Sequence, residues 1–538
     1  MLMASYIKSQ QSKDFLSVFN HALFKVLVIT ASGILISVLL GIVLFIGFQG
    51  VRYFLPMQAY TITTSFEGID TTENQGISAQ TNQSMLASEY LLSHQAKESL
   101  RTSLQQKLVE QYAGQQSAIP SVTVVLANNV YLLTTNSGQK ILGEFVSINE
   151  NNSTLTSLSS LPKLQTTVMR LQQNLNDIQL QQLTPLHQDI YRLEQTDVNQ
   201  NTPLFQKKLS EFNHWQANAN SITEQIESYT IKLKLANQNV VSYPISQLQD
   251  LYQPNSLSFW QSIGYTLNQI YIFLTDFPKQ AATSGGVFPA IFGTLLMVII
   301  MALLVTPFGA ISAIYLHEYA PNNRLTSIIR VSVSNMAAVP SVVYGVFGLG
   351  FFVYVLGGSI DKLLYSDELP SPTFGTPGLL WASLTMGILT LPVVIVATEE
   401  GLSRIPNNLR MGALALGATK FEVIKKVVLP MASPGILTGV ILAVARAAGE
   451  VAPLILVGAV KFAPTLPIDG DFPFIHLERQ FMHLGVFIYD GAFHNQTESQ
   501  VASLMFATCM LLLVIVLILN ISAILLRNKL RNQYERLE

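Results

Sequence analysis

Long uncharged apolar runs alternate along this chain with polar stretches of helical or strand periodicity. Val26 to Phe48 is an apolar run of about 23 residues without a charge, and a bilayer core needs about 20 in a helix. Five more candidate membrane helices lie at roughly 288–315, 331–357, 378–398, 435–460 and 501–526. Pro307, Pro340, Pro392 and Pro453 punctuate four of them. A bundle tolerates such prolines because neighbouring helices and hydroxyls satisfy the freed carbonyls. The pattern predicts six spans. Lys8 and Lys13 precede the first run and no small-residue cleavage pattern follows it, so it is expected to stay in place as a signal anchor.

Between the first and second spans the pattern changes. Val122–Leu126, Val130–Leu133 and Lys140–Val146 read as short strands, the last two joined by a turn at Asn136-Ser137-Gly138. Leu161, Leu164, Val168, Leu171, Leu175 and Ile178 then recur at heptad spacing. A second amphipathic run extends from about Leu204 to Leu235, with Phe212, Trp215, Ile222, Ile226 and Tyr229. Two such runs can fold back as an antiparallel helical hairpin broken at Asn199–Pro203. Either a rigid stalk without chemistry or a contact surface for a partner outside the membrane fits the hairpin. A loop of this length is expected to be a separate domain.

Composition supports the membrane reading. Of 538 residues 49% are hydrophobic and only 12% charged, against about 25% charge in a soluble domain. A net charge of −2 gives no reason to expect nucleic acid as a partner. Cys509 is the single cysteine, which excludes an intramolecular disulfide and a cysteine-rich zinc site. Charge also orients the spans. With the N-terminus inside, the inner segments hold Lys8, Lys13, Arg324, Arg330, Arg404, Arg410, Lys420, Lys425, Lys426, Arg527, Lys529, Arg531 and Arg536. The two short outer loops hold Lys362, Lys461 and Arg479. Such an excess of inner Lys and Arg predicts cytoplasmic termini.

Most familiar chemistries are missing. There is no G-x-x-x-x-G-K-[S/T] sequence, so the chain is not expected to bind ATP itself. Gly345, Gly348 and Gly350 sit inside an apolar span, where small residues serve helix packing. His476, His483 and His494 share the last outer loop without metal-ligand spacing. G-x-S-x-G is absent, and no Ser/His/Asp set is evident. No metal and no cofactor is expected.

What stands out is a charge pair in the fifth span, Ala445-Arg446-Ala447-Ala448-Gly449-Glu450. Arg446 falls about 16 Å into that span at 1.5 Å per residue, hence near mid-bilayer. A charge there costs about 2.5–3.5 kcal/mol even on a lenient scale. Residues four apart share a helix face, so Glu450 can offset part of this. The pair either locks helix packing or lines an anion pathway, and intramembrane charges usually mark a pathway. Ala443, Ala447 and Gly449 are small enough for both.

The inner loop between the fourth and fifth spans, 399–430, is too apolar for a solvated loop and too charged to insert. Leu414, Leu416, Phe421, Ile424 and Val427 alternate with Arg410, Lys420 and Lys425. Two short helices joined at Gly417, a residue suited to a left-handed turn, would present a knob that fits a partner's groove. Gly417 and Leu429-Pro430 resemble the fixed positions of the EAA loop of ABC importer permeases, although Met411 and Gly412 stand where that pattern has Glu and Ala. The stretches 288–295, 313–320, 339–345, 397–400 and 435–439 look like the PstA permease of phosphate importers. So does Ala445 to Leu454, with Val451 in place of the usual Thr. Val396 stands where some relatives carry a second arginine.

The resemblance implies an all-α polytopic membrane protein of the type I ABC importer permease kind with six transmembrane helices. A large extracytoplasmic α+β insertion with a helical hairpin is added to it. The expected organisation is 1–50, tail and first span; 51–286, insertion; 287–526, permease core with coupling loop 399–430; and 527–538, cytoplasmic tail. It implies a permease subunit, not an enzyme, that moves phosphate across a bacterial inner membrane. Its partners would be a PstC-type permease, ABC ATPase subunits and a periplasmic phosphate-binding protein. Arg446 and Glu450 would line the substrate pathway. Ala413, Leu416, Gly417, Ala418, Phe421, Leu429 and Pro430 would form the ATPase-coupling loop. Two alternatives stay open: a permease for another oxyanion or solute, and a membrane scaffold or sensor that uses its outer domain.

Overall fold

The structure, a computed structural model, describes residues 2–67, 84–90, 119–126, 129–136, 139–150, 153–195, 202–235, 238–278, 285–366, 370–470, 472–494 and 499–535. The chain divides into two compact units. One comprises Met1–Tyr53, Ile272–Pro278 and Gly285–Glu538; the other comprises Phe54–Tyr271 and Lys279–Ser284.

Six helices among the described residues of the first unit are long and apolar enough to cross a membrane. They are Lys25–Arg52, Phe288–Tyr319, Ser341–Leu364, Leu379–Ser403, Lys420–Gly449 and Ser503–Lys529. Two differ in place from the sequence expectation. The third span begins at Ser341, directly after Pro340, and Arg324–Met336 forms a separate amphipathic helix. A residue before proline is pushed away from helical dihedrals, which separates the two helices. The fifth span begins at Lys420 and ends at Gly449, because Pro453 cannot continue a helix through its own i−4 carbonyl. The sixth helix also runs on to Glu535 rather than ending at 526.

Span 4 is the centre of this unit, with Leu379, Ala382, Met386, Leu389 and Val394 buried against Met297, Met301 and Val305 of span 2 and Ala443 and Ala447 of span 5. Small residues allow this. A Cβ on Gly435 would lie 2.6 Å from the Gly401 Cα, so spans 4 and 5 touch backbone to backbone. Several hydroxyls inside the bundle return to their own helix: Ser383 donates to the Leu379 carbonyl and Thr390 to that of Met386. This is how a dry bundle satisfies polar groups.

The described strands of the second unit form two sheets. In the first sheet β1 (Met57–Glu67) pairs antiparallel with both β2 (Ser84–Tyr90) and β3 (Ile119–Leu126). The second sheet holds β4 (Val130–Thr135), β5 (Lys140–Glu150), β6 (Ser153–Leu155), β7 (Thr230–Lys234), β8 (Val240–Pro244) and β9 (Leu248–Tyr252). Its order is β8-β7-β5-β4-β9, with β6 also on β5. The heptad run forms Leu161–Ile178, a π turn at Gln179–Leu183, and Thr184–Gln195. Pro203–Ser228 packs back against it, tied by Lys208 to Asp189 at 3.1 Å. The second run is shorter than its pattern suggested, since Thr230–Lys234 leaves the helix to pair with β5.

The hairpin is not a free-standing stalk. Leu161, Leu164, Val168, Ile222 and Ile226 share one core with Leu133, Ile148, Ile231 and Leu233 of the sheet. A polar helix pair with a narrow apolar stripe is stable once that stripe is covered. The turn residues 137–138 and the break at 199–201 lie outside the described residues.

Candidate functional site

Arg446 lies in the last turn of the fifth span, 26 residues beyond Lys420 and three before the helix ends at Gly449. It is therefore near one end of that helix and not at its middle, because the chain breaks at Glu450, whose backbone is extended. A cation in the last turn complements the helix dipole. Arg446 Nε is 3.4 Å from Glu450 Oε1, yet it is buried and makes no hydrogen bond. The side chain keeps 34% of its surface exposed. Ala443 and Ala447 are taken up by the core, whereas a Cβ on Gly449 would meet nothing within 4 Å. The guanidinium is thus paired loosely and still a third exposed, with donor capacity left for an anion.

The segment after Glu450 folds back onto the start of span 4. Ala452–Val457 is a short helix, and β10 (Ala459–Val460) runs parallel to β11 (Phe481–Met482). The first N–H groups of span 4 have no partner within their own helix. Here Gly378 donates to the Val457 carbonyl at 3.0 Å, Leu379 to Arg479 at 2.9 Å and Leu380 to Leu477 at 2.9 Å. Gly458 turns the chain with φ +140, and a Cβ there would lie 2.6 Å from Gly378 N. His483 is fully buried, and its Nδ1 accepts the Gly485 N–H at 3.1 Å. It lies outside the six spans, and burial pushes its imidazole down to about 4.

His476, which shows no metal-ligand spacing in the sequence, is bracketed by two carboxylates. Its Nδ1 is 3.0 Å from Glu478 and its Nε2 3.0 Å from Asp469, which also pairs with Arg479. These bonds close the loop. No group of three or more metal-ligating side chains occurs among the described residues.

At the opposite end of span 5 stands the loop 399–430. Asn407–Ala415 is a helix, Gly417 takes the left-handed turn at φ +86, and Thr419 caps the next helix with Glu422 in a capping box. That next helix is not a short one: it is the beginning of the fifth span. Leu416 is 90% exposed and Phe421 65%, with Met411 and Leu414 also outward. Ala413 and Ala418 instead pack beneath them, against Leu402, Ile405, Val423 and Val428. Leu429 and Pro430 are half-buried, about 12 Å along the helix from Phe421. Leu416 and Phe421 therefore make the knob, Gly417 shapes it, and Leu429-Pro430 stands apart.

A charge network that periodicity could not reveal fastens this knob to span 2. Arg410 donates from Nε and Nη2 to Glu318 Oε1 at 3.1 and 3.0 Å. The same guanidinium bonds the carbonyls of Leu402 and Ile405 at 2.9 and 2.7 Å. Lys420 donates to the Glu318 carbonyl and sits 4.5 Å above the Tyr319 ring. Arg330 bonds the Leu316 carbonyl and approaches Glu399 of span 4 at 3.5 Å. A basic residue thus reaches the Thr398-Glu399 pair from another helix, where Val396 cannot supply one.

Residues 305–532 match the family described as "Binding-protein-dependent transport system inner membrane component". The chain is 31% identical over 264 residues to "Phosphate transport system permease protein PstA" of Pasteurella multocida, covering 48% of this chain and 82% of that protein. It is 36% identical over 182 residues to "Phosphate transport system permease protein PstA 1" of Mycobacterium tuberculosis (strain CDC 1551 / Oshkosh), 34% of this chain and 53% of that one. It is 31% identical over 183 residues to "Probable ABC transporter permease protein YqgI" of Bacillus subtilis, 34% of this chain and 56% of that protein. The matched region therefore spans about half the length of the last two relatives.

Proposed function

This chain belongs to the binding-protein-dependent transport permeases and to their PstA-type phosphate branch, and from that premise we propose that it is a membrane subunit of an ATP-driven phosphate importer. The observation that carries the reading is the Arg446 guanidinium, paired with Glu450 at 3.4 Å yet still partly exposed. A phosphate crossing the bilayer loses hydration, and one positive charge on its path offsets part of that loss. Release also requires weak binding. A single arginine with its own carboxylate partner suits that better than a cage of cations.

The chain is a transport subunit without an ATP site of its own; the energy comes from ABC ATPase subunits that dock on Leu416 and Phe421. Closure of the ATPases pushes the knob, and the Arg410–Glu318 and Lys420–Glu318 contacts pass the movement to span 2. The full transporter includes a PstC-type second permease and a periplasmic phosphate-binding protein. It sits in the bacterial inner membrane with both termini and the knob in the cytoplasm. Loss of the Glu of the EAA pattern is compatible with this, because the knob is already fastened within the chain through Arg410.

The test is labelled-phosphate uptake in phosphate-starved cells lacking this chain, complemented by wild type or by Arg446→Gln, with sulfate uptake as control. Loss of phosphate uptake alone, restored only by wild type, is expected. Phosphate uptake unchanged by the deletion refutes the substrate. Normal uptake by Arg446→Gln at normal expression refutes the pathway role.

A further inference from the structure

The ends of spans 4, 5 and 6 near the knob enclose a cleft of about 430 Å³. Arg404 and Arg527 both line it, with Glu400 on the same wall. Arg404 follows directly on the last residue of span 4, and Arg527 sits at the end of span 6. Neither guanidinium meets a carboxylate or a carbonyl among the described residues, unlike Arg330 and Arg410 nearby. Glu400 forms no ion pair with either. Two forks with all their donors free therefore face one cavity.

The cleft is also graded in polarity. Away from the arginines its lining follows span 5 from Met431 past Pro434 and Thr438 to Leu442, about 16 Å at the helical rise. The Thr438 hydroxyl is already spent on the Pro434 carbonyl at 2.7 Å, so the wall toward Leu442 offers no free side-chain donor. A bare cationic surface patch would lack such a wall.

We propose that this cleft is a phosphate-group site, in which Arg404 and Arg527 grip either the head group of an anionic phospholipid or free inorganic phosphate. Guanidinium forks match phosphate oxygens in geometry and charge. The apolar wall toward Leu442 suits the glycerol and first acyl carbons of a lipid, and it gives free phosphate nothing. The two gripping arginines are distinct from Arg446, which lies one helical turn beyond Leu442, about 6 Å past that end of the cleft, and the site does not depend on the transported solute.

The experiment uses the full chain in detergent, as wild type, Arg404→Gln/Arg527→Gln and Arg404→Lys/Arg527→Lys. Native mass spectrometry measures retention of phosphatidylglycerol against a phosphate-free galactosyl diacylglycerol; calorimetry measures inorganic phosphate binding in delipidated protein. Removing both guanidiniums in the Gln pair is expected to weaken retention at least about tenfold. Preferential phosphatidylglycerol retention that the Gln pair abolishes and the Lys pair partly restores identifies a lipid site. Inorganic phosphate binding that disappears in the Gln pair but persists in Arg446→Gln identifies a site for the free anion. If the Gln pair fails to fold, the Lys pair still decides, since losing the forks alone must weaken one of the two ligands. Retention and phosphate binding equal to wild type in a folded variant overturn the proposal.

Discussion

Replacing Arg410 by alanine tests how the knob is held. The Arg410 and Glu318 side chains are only 13% and 11% exposed. Alanine removes both bonds to Glu318 and the donors to the carbonyls of Leu402 and Ile405. The Glu318 carboxylate would keep only His317 Nδ1, at 3.1 Å. Breaking a buried pair by deleting one partner costs about 3–5 kcal/mol, and the two orphaned carbonyls act in the same direction. At roughly 2–4 °C per kcal/mol, thermal unfolding of the detergent-solubilised chain should fall by on the order of 10 °C. Arg410→Lys keeps the charge but loses the fork, so its loss should be intermediate. The exchange Arg410→Glu with Glu318→Arg should not restore stability, because a glutamate at 410 gives the two carbonyls no donor. Wild-type unfolding in Arg410→Ala, or full rescue by the exchange, would refute the fastening role.

Other outcomes follow from the same geometry. Gly435→Leu should prevent the approach of spans 4 and 5, giving low yield and aggregation on size-exclusion chromatography, whereas Gly412→Ala, which faces open space, should be neutral. Asp361 is buried and accepts the N–H groups of Phe374 and Gly375 at 2.7 Å each. Asp361→Ala should therefore destabilise by about 2–4 kcal/mol, read as unfolding temperature. His483 titrates near 4 when folded and near 6.5 when unfolded. Its stabilising contribution is complete above about 6.5 and is lost as pH falls toward 4. The unfolding temperature of His483→Gln should accordingly fall less steeply than wild type across that range. Leu416→Glu with Phe421→Glu should leave the chain folded and abolish phosphate uptake, since both side chains point outward.

Legibility in the sequence followed the range of the interactions. Uncharged runs of membrane length are local, and all six spans were readable, although Pro340 and Pro453 shifted two of them. The strands were readable at 122–126, 130–133 and 140–146, each inside a longer strand of the structure, and the heptad helix from its period of seven. What the apolar stripe of that helix packs against was not, because β5 and β7 come together from more than 80 residues apart. The Arg446–Glu450 spacing pointed to a pair, but the helix break that exposes it depends on the fold-back of residues 451–483. Arg410 and Glu318 are 92 residues apart, and nothing in either neighbourhood announces the other. A polar residue at the end of an apolar run, like Glu318, was the one available signal.

Spans 4 and 5 touch backbone to backbone at Gly401 and Gly435, and that point divides the fifth helix unequally. Lys420, beside the knob, is about 22 Å to one side of Gly435, and Arg446 is about 16 Å to the other. If the proposed ATPase docking drives the knob and the glycine contact serves as a fulcrum, the helix would work as a first-class lever. A push of about 3 Å at the knob would then swing Arg446 by about 2 Å the opposite way. The longer arm would be on the driven side, so the helix would give up travel for force.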